Sequence, residues 1–254
     1  MSEVALITGA SSGIGAELAK QFSARGYEVI LVARRADRLQ QLASELRGPA
    51  HVIPCDLVNE AKTLAGKVAE LGLQVDVLVN NAGFGTHGHF AEIDPERDAE
   101  EVRLNCEAVV TLTHLFLPGM IERDRGGVMT VASTAGMQPI PYEATYSATK
   151  AFARTFSDAL SGELRGTGVR VLCVNPGPVP TEWQQVAGYE ADWVPPVPGK
   201  ISAEQVASES VRAFERGRRT IIPGPVMRWF VRINKPAPTG VKLRVLERMY
   251  RPER

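Results

Sequence analysis

Short apolar runs alternate with amphipathic segments along most of this chain. The apolar runs are rich in valine, isoleucine and leucine, and they occupy residues 3–8, 27–33, 51–55, 75–81, 127–133 and 169–175. Such runs are typical of strands that are buried on both faces of a parallel sheet. The segments between them carry apolar residues at the three- and four-residue spacing of helices. Strict alternation predicts right-handed βαβ units, and therefore an α/β fold with a single doubly wound parallel sheet and helices on both faces.

The pattern changes after Gly177. Residues 178–200 contain several prolines, glycines and aromatic residues without clear periodicity, which predicts a long loop over a site. A helix at about 202–216 and a last strand near 220–224 are expected to follow. The chain closes with a basic and apolar tail at 225–254. Since the 254 residues are enough for one large core, we expect a single domain over residues 1–254.

Composition and charge exclude some classes of function. The chain has 29 basic and 29 acidic residues, so neither nucleic acid nor an acidic membrane is expected as an obligate partner. The N-terminus lacks a signal-type segment, and no apolar run approaches the roughly 20 residues of a membrane span, which predicts a soluble protein. The three cysteines, Cys55, Cys106 and Cys173, lie far apart in apolar runs and indicate a reducing, cytoplasmic setting.

A glycine-rich loop, TGASSGIG, joins the first strand to the first helix at residues 8–15. Glycines allow a sharp turn and a close approach to a pyrophosphate, and a helix N-terminus offers unpaired N–H groups and positive potential. At this place in a doubly wound sheet, the loop predicts a Rossmann-like dinucleotide site. A plain tight turn is the alternative. The residues expected to contact the cofactor are Gly9, Ser11, Ser12, Gly13, Ile14 and Gly15.

The end of the second strand indicates which dinucleotide is bound. Proteins that use NAD usually carry an acidic residue there, about 20 residues beyond the glycines, to bind the ribose 2′-hydroxyl. Here Ala33 ends the strand and is followed by Arg34 and Arg35. The Arg34 guanidinium would pair with the 2′-phosphate of NADP, which favours NADP(H) over NAD(H). The alternative is a solvated helix start, in which a basic first turn would be slightly unfavourable.

The segment YSATK places a phenol and an ammonium four residues apart, at Tyr146 and Lys150. On a helix these two positions share one face. The ammonium is expected to lower the pKa of the phenol from about 10, which would allow proton exchange near neutral pH. Two unrelated side chains on a surface helix are the alternative.

With TGASSGIG, NNAG and YSATK in this order, the chain resembles the short-chain dehydrogenase/reductase family, in the form that carries TGxxxGxG and YxxxK. The resemblance covers residues 4–181, and the C-terminal part is less diagnostic. It implies an NAD(P)-dependent oxidoreductase that acts on CH–OH or C=O groups. It also implies a catalytic tetrad, which consists of Asn105, Ser133, Tyr146 and Lys150. Asn105 follows a leucine here, where the family usually has valine.

The resemblance also implies further cofactor contacts, position by position. Asp56 is expected at the adenine ring, with a polar residue at a helix approach as its alternative. Val179 and Thr181 are expected at the nicotinamide carboxamide. Besides Tyr146 and Lys150, the full set of implied contacts is Asp56, Leu57, Asn81, Ala82, Gly83, Pro176, Gly177, Val179 and Thr181.

The mechanism implied by the resemblance is hydride transfer with Tyr146 as general acid or base. Ser133 and Tyr146 would bind the substrate oxygen, Lys150 would tune the phenol, and Asn105 would support a water that leads to solvent. The leading hypothesis is therefore NADPH-dependent reduction of a hydrophobic ketone or aldehyde, or the reverse oxidation of a secondary alcohol. The alternatives are an NADP-binding regulator or scaffold without turnover, and a non-redox dehydratase or epimerase on the same fold.

Three aromatic residues of the 178–200 loop, Trp183, Tyr189 and Trp193, are expected to line the substrate pocket, or else to anchor the loop. His87 and His89 stand two residues apart, but no carboxylate or cysteine cluster accompanies them. No metal site is therefore expected, and the two histidines are expected in a loop at the pocket mouth.

The tail and the oligomeric state leave alternatives open. The segments VMRWFVRI and VKLRVLERMYR mix apolar and basic residues, as do helices that lie on membrane surfaces. A closing segment that packs on the domain or on a neighbouring subunit is favoured instead. The family often pairs through the helices after the fourth and fifth strands, so the resemblance implies a homodimer or homotetramer.

Overall fold

The computed structural model describes residues 2–189, 195 and 197–252. Its strands are β1 Val4–Thr8, β2 Glu28–Ala33, β3 Ala50–Pro54, β4 Val77–Asn80, β5 Gly126–Val131, β6 Val169–Val174 and β7 Thr220–Ile221. Its α-helices are α1 Gly13–Ser23, α2 Ala36–Glu45, α3 Leu64–Glu70, α4 Pro95–Val102, α5 Ala108–Glu122, α6 Ala144–Glu163, α7 Trp183–Val186, α8 Ala203–Glu215, α9 Pro225–Asn234 and α10 Thr239–Tyr250. Short 3₁₀ turns occupy Ala61–Thr63 and Thr134–Met137, and a π-helical turn occupies Arg103–Glu107.

The strands form one parallel sheet in the order β3-β2-β1-β4-β5-β6-β7. The chain adds strands outward from β1 in one direction and then returns to add β4 on the other side. The strand order therefore reverses between β1 and β4, and ligands of doubly wound sheets bind at that position, outside the carboxyl ends of the strands. The predicted fold class is confirmed.

Alternation of side chains along each strand builds a core on each face of the sheet. In β1, Ala5 and Ile7 pack on one face together with Phe22 of α1 and Phe214 of α8. Leu6, between them in sequence, packs on the other face, where its cluster includes the buried faces of α5 and α6. Both faces bury apolar side chains, which explains why the strands read as continuous apolar runs.

Among the described residues one helix, Pro95–Glu122, is long and apolar enough to span a membrane by length and composition. The sequence did not suggest this because the acidic α4 continues through the π-helical turn into the apolar α5. Leu112 and Met120 of this helix are buried against the sheet. The helix therefore covers one face of the core, and core helices of this kind satisfy the same criteria.

The C-terminal part differs most from expectation. The predicted loop at 178–200 contains the one-turn helix α7, and the tail forms two helices, α9 and α10, joined by Lys235 to Pro238. Met227, Leu246 and Tyr250 are buried, so these helices close over the end of the domain. The interpretation of the tail as a closing segment is confirmed for this inward face.

Candidate active site

A cleft of about 870 Å³ opens at the carboxyl ends of the strands, where the strand order reverses. Its walls include every residue predicted to contact cofactor or substrate oxygen except Asn105, which lies directly behind Gly83. Sheet topology brings these residues together although they lie between residue 9 and residue 181. The site residues were assigned by motif, and their roles remain predictions.

The glycine loop lies against the NNAG segment with no room for a side chain. Gly9 has a left-handed backbone (φ 67°), and a Cβ atom there would lie 2.8 Å from the Cα atom of Ala82. A Cβ atom on Gly15 would lie 2.3 Å from the carbonyl oxygen of Gly9. The Thr8 hydroxyl accepts hydrogen bonds from the backbone N–H groups of Asn81 and Ala82, at 2.9 and 3.0 Å. This interlock fixes a bare backbone surface beside the start of α1, as a pyrophosphate requires.

The positive charge beside this loop comes from two arginines. The Arg35 guanidinium donates to the hydroxyls of Ser11 (3.0 and 3.2 Å) and Ser12 (3.0 Å), and it forms an ion pair with Glu182. Arg34 is exposed and lines the cleft, and the described residues place no carboxylate within ion-pair distance of it. Arg38, one turn further along α2, pairs with Glu182 but does not contact the serines. Two guanidinium groups thus lie beside the glycine loop, where the sequence predicts the 2′-phosphate of NADP.

Tyr146 and Lys150 share one face of α6, as the spacing predicted, and both line the cleft, with Lys150 buried and Tyr146 half-buried. The Lys150 ammonium lies 5.8 Å from the centre of the Tyr146 ring and donates to the carbonyl oxygen of Val131 at 3.0 Å. Ser133 lies at the end of β5, within hydrogen-bonding reach of the Tyr146 phenol. Three of the four predicted tetrad residues, Ser133, Tyr146 and Lys150, therefore lie close together in the cleft.

The expected electrostatic effect of Lys150 on Tyr146 is wrong for this structure. Burial, reinforced by the nearby Glu143, raises the pKa of the Tyr146 phenol, and the hydrogen bond with Ser133 only partly opposes this. Burial also lowers the pKa of the Lys150 ammonium from 10.5 to about 8, although Glu101 opposes the shift. Desolvation penalises whichever form is charged, and it is the largest contribution to the pKa shift of both groups. Lys150 is consequently the group of this pair that titrates near neutral pH.

Asn105 is buried in the π-helical turn and is fixed by three hydrogen bonds. Its Nδ2 donates to the carbonyl oxygen of Phe84 (2.8 Å) and to the Thr149 hydroxyl (3.0 Å), and its Oδ1 accepts from the Phe84 N–H (3.2 Å). The side chain thus ties this helix to the segment after β4 and to α6. A π-helical turn disturbs the regular backbone ladder, and such turns are frequent at functional sites.

The residues predicted at the two ends of the cofactor site also line the cleft. Asp56 and Leu57 line the cleft at the adenine end, where the Asp56 carboxylate accepts from the Val58 N–H at 3.2 Å and from Asn59 at 2.8 Å. These local bonds match the structural alternative for Asp56. At the other end, Val179 and Thr181 line the cleft beside the buried Gln184.

Gln184 carries no signal in the sequence, because its role depends on the fold of the loop. Its Nε2 donates to the carbonyl oxygen of Val179 at 2.9 Å, and its Oε1 accepts from the Thr181 N–H at 3.2 Å. Gln184 therefore holds both residues predicted at the nicotinamide. Glu182, which pairs with Arg35 and Arg38, was missed for the same reason.

Aromatic side chains cover the substrate side of the cleft. The Trp183 ring packs on the Tyr146 ring with centroids 4.7 Å apart, and Tyr189 is buried with its hydroxyl on the Glu143 carboxylate. Burial raises the pKa of Glu143 to about 7. Sequence reasoning also missed this carboxylate, which lines the cleft three residues before Tyr146. Trp193, the third predicted aromatic, lies outside the described residues.

The two histidines pack behind this wall. The His87 ring stacks on the Tyr189 ring with centroids 3.9 Å apart, and its Nε2 lies 2.8 Å from the carbonyl oxygen of Tyr250. The His89 ring packs edge-on against the Tyr142 ring. Both histidines lie in a loop, as expected, but neither is among the described residues that line the cleft.

A family model described as short chain dehydrogenase matches residues 3–191 of this chain. The chain belongs to the short-chain dehydrogenase family. The matched region contains strands β1 to β6, the glycine loop and the aromatic side chains that cover the cleft.

Two curated relatives illustrate the similarity. The chain is 40% identical over 181 residues to a very-long-chain 3-oxoacyl-CoA reductase of Phaeosphaeria nodorum, and the match covers 67% of this chain and 53% of that protein. It is 38% identical over 178 residues to the NADP-dependent 3-hydroxy acid dehydrogenase YdfG of Escherichia coli, and the match covers 68% of this chain and 71% of that protein. The chain thus spans about half the length of the first relative.

Solved structures share the architecture over most of the chain. A short-chain dehydrogenase from Sphingobium yanoikuyae in complex with NADPH matches with a TM-score of 0.80 and 29% identity, over 94% of this chain and 95% of that one. A family member from Burkholderia phymatum in complex with NAD matches with a TM-score of 0.81 and 25% identity, over 92% of each chain.

Proposed function

We propose that the dehydrogenase uses NADPH to reduce a ketone or aldehyde on a hydrophobic small molecule, or oxidises the corresponding secondary alcohol. The observation that carries this proposal is the grouping of Tyr146, Ser133 and Lys150 in one cleft with the bare glycine loop. Hydroxyl groups beside a dinucleotide site suit a reaction in which charge develops on a substrate oxygen.

The residues of the cleft fit NADP(H). Gly9, Gly15 and Gly83 leave a surface that any Cβ atom would obstruct, and the start of α1 adjoins it. Arg34 and Arg35 suit a 2′-phosphate, since a guanidinium pairs with phosphate in a bidentate manner. NAD(H) is the second choice, because it lacks the group that these arginines would bind. The NADP-dependent relative and the NADPH-bound structure support the same preference.

The side chains of the site would divide the work as follows. NADP(H), when bound, supplies or accepts the hydride. Tyr146 and Ser133 would each donate a hydrogen bond to the substrate oxygen, and Tyr146 would give its phenolic proton to that oxygen as negative charge develops. A donor placed in this way contributes about 3 kcal/mol, and general acid catalysis about 10²–10⁴-fold. Lys150, with a pKa of about 8, would supply the proton that restores the phenol.

The substrate side of the cleft favours an apolar molecule. Trp183 covers Tyr146, and further apolar side chains line the same wall: Met137, Ile140, Phe230, Leu246 and Met249. The two curated relatives are named for 3-oxoacyl and 3-hydroxy acid compounds, which carry oxygen on the third carbon of an acyl chain. We therefore place 3-oxoacyl compounds with long apolar chains first among the substrates to be assayed.

The test is NADPH oxidation, followed at 340 nm, with 3-oxoacyl thioesters of increasing length, simple apolar ketones and sugars. Rates that rise with chain length, and one alcohol formed for each NADPH oxidised, support the proposal. Tight NADPH binding without oxidation across the panel would favour a non-catalytic binder. Conversion of substrate without net change in NADPH would favour a dehydratase or epimerase.

We further propose a homodimer through α5 and α6, the helices that follow β4 and β5. Leu115 and Phe152 are exposed on these helices, and Phe152 stacks on Phe156 with ring centroids 5.9 Å apart. Sedimentation velocity should show a dimer that Phe152→Glu dissociates, because a buried charge would then lie in the interface. A monomeric wild-type protein would contradict this arrangement.

A further inference from the structure

The outward faces of the C-terminal helices are unusually apolar. Of the large apolar side chains that are exposed among the described residues, nearly half lie within 225–252. They are Val226, Trp229 and Ile233 on α9, and Val241, Leu243 and Val245 on α10. Trp229 is the most exposed of this group, at 65%.

These side chains form stripes along the helices. Val226, Trp229 and Ile233 follow the i, i+3, i+7 spacing, and Val241 and Val245 are four residues apart, so each group lies on one helix face. The opposite faces already have partners, since Met227 and Leu246 are buried in the domain. A helix that packs on a core through one face normally presents polar residues on the other. Val241 and Val245 also line the cleft, whereas Val226, Trp229, Ile233 and Leu243 are exposed outside its lining. These four side chains suit a partner outside the described chain.

Charge indicates the nature of that partner. Residues 225–252 contain seven basic residues and one acidic residue, Glu247, although the whole chain has 29 of each kind. Arg232, Arg244 and Arg248 are exposed beside the apolar stripes. Arg251 pairs with Glu247, and Arg228 pairs with Glu209 of α8, so five cations of the segment have no ion pair among the described residues. A large apolar area surrounded by uncompensated cations suits a surface that is itself apolar and anionic.

The same helices form one wall of the cleft. Phe230, Val231 and Leu246 line it from α9 and α10, and Asn234 and Lys235 line it at the link between these helices. The apolar outer surface is thus continuous with the apolar wall near Tyr146.

We infer that α9 and α10 form a docking surface for an anionic phospholipid bilayer, with Trp229, Ile233 and Leu243 at the headgroup boundary and the arginines on the lipid phosphates. Tryptophan is enriched at this depth because its ring is apolar and its N–H is polar. Long arginine side chains can reach the headgroups while their stems remain on apolar surface. The inference does not rest on the proposed reaction, since it concerns only the outward faces of these helices.

Co-sedimentation of the full chain with vesicles tests this docking surface. The wild-type protein is expected to pellet with phosphatidylserine/phosphatidylcholine vesicles and much less with phosphatidylcholine alone. The variant Trp229→Ser/Ile233→Ser/Leu243→Ser should lose at least tenfold in vesicle affinity. Arg232→Gln/Arg244→Gln should lose roughly fivefold for each cation removed. Leu71→Ser/Phe90→Ser, which removes exposed apolar groups elsewhere, should bind as wild type.

Two further measurements separate lipid docking from misfolding and from subunit association. Vesicles with brominated acyl chains should quench wild-type fluorescence more than that of Trp229→Phe, which places this ring in the lipid. NADPH binding and circular dichroism of the serine variant should match wild type, because the replaced side chains are exposed and lie outside the cleft lining. Failure of the wild-type protein to bind anionic vesicles would overturn the inference. An oligomer that the serine variant dissociates, without vesicle binding by wild type, would identify the surface as a subunit interface and would also overturn it.

Discussion

The substitution Tyr146→Phe tests the chemistry of the cleft at a single atom. The ring packs against Trp183 and lies within 5.8 Å of Lys150, and phenylalanine would keep both contacts. The variant loses only the hydroxyl and its hydrogen bond with Ser133. The loss of one hydrogen bond costs about 0.5–1.5 kcal/mol of stability, so the fold should persist.

The loss of activity should be far larger than the loss of stability. Removal of a general acid costs about 10²–10⁴-fold in rate, and removal of a donor to the developing oxyanion costs about 10²–10³-fold. Because one hydroxyl does both, the two effects overlap, and we expect kcat/KM for ketone reduction to fall by roughly 10⁴-fold. The dissociation constant of NADPH, measured by fluorescence titration, should change less than about threefold.

Tyr142→Phe is the matched control. Its hydroxyl bonds Glu247 at 3.0 Å and lies outside the described cleft lining, so this variant should keep wild-type turnover. Turnover by Tyr146→Phe within tenfold of wild type, with the same product, would refute the assignment of the general acid.

Three further changes probe other parts of the site. Arg35→Ala should raise the KM for NADPH by about ten- to a hundredfold, the value of a charged hydrogen bond, and should leave the KM for NADH nearly unchanged. Arg38 contacts Glu182 but not the serines, so Arg38→Ala should alter neither KM. Equal effects of the two variants on the KM for NADPH would contradict the 2′-phosphate role of Arg35. The kcat/KM for reduction should fall as pH rises above about 8, where Lys150 loses its proton. Because Glu101 raises the pKa of Lys150, Glu101→Gln should move this fall in the pH profile to lower pH. An unchanged pH profile in that variant would show that another group titrates. Gly15→Ala should weaken NADPH binding at least tenfold in calorimetric titration, because its Cβ atom would lie 2.3 Å from a carbonyl oxygen, whereas a wild-type affinity would show that the loop can shift freely.

Periodicity determined the sheet from the sequence because parallel strands are buried on both faces. Each of the six apolar runs became a strand, and even the short β7 lies where the sequence placed it. The tail was harder, because Pro236 and Pro238 interrupt a pattern that mixes apolar and basic residues. Its two helices pack on the domain by one face and expose apolar residues on the other, so neither face shows a clean helical signature.

Motifs located the residues of the cleft, but the contacts between distant segments were beyond local reading. Arg35 bonds Glu182, which is 147 residues away, so the sequence could not show that Arg35 rather than Arg34 contacts the serines. The pKa of Tyr146 was predicted from one neighbour, whereas burial decides its direction in the structure. Charge spacing is visible in a sequence, but desolvation depends on everything that packs around a group.

The proposed reaction consumes NADPH and forms a secondary alcohol, and both can be measured. The most direct test is the stoichiometry of NADPH oxidation against alcohol formed with a long-chain 3-oxoacyl thioester, with the product identified by mass spectrometry. The proposed reaction predicts one secondary alcohol for each NADPH consumed, with turnover abolished in Tyr146→Phe. Binding of both NADPH and thioester without alcohol formation would contradict it.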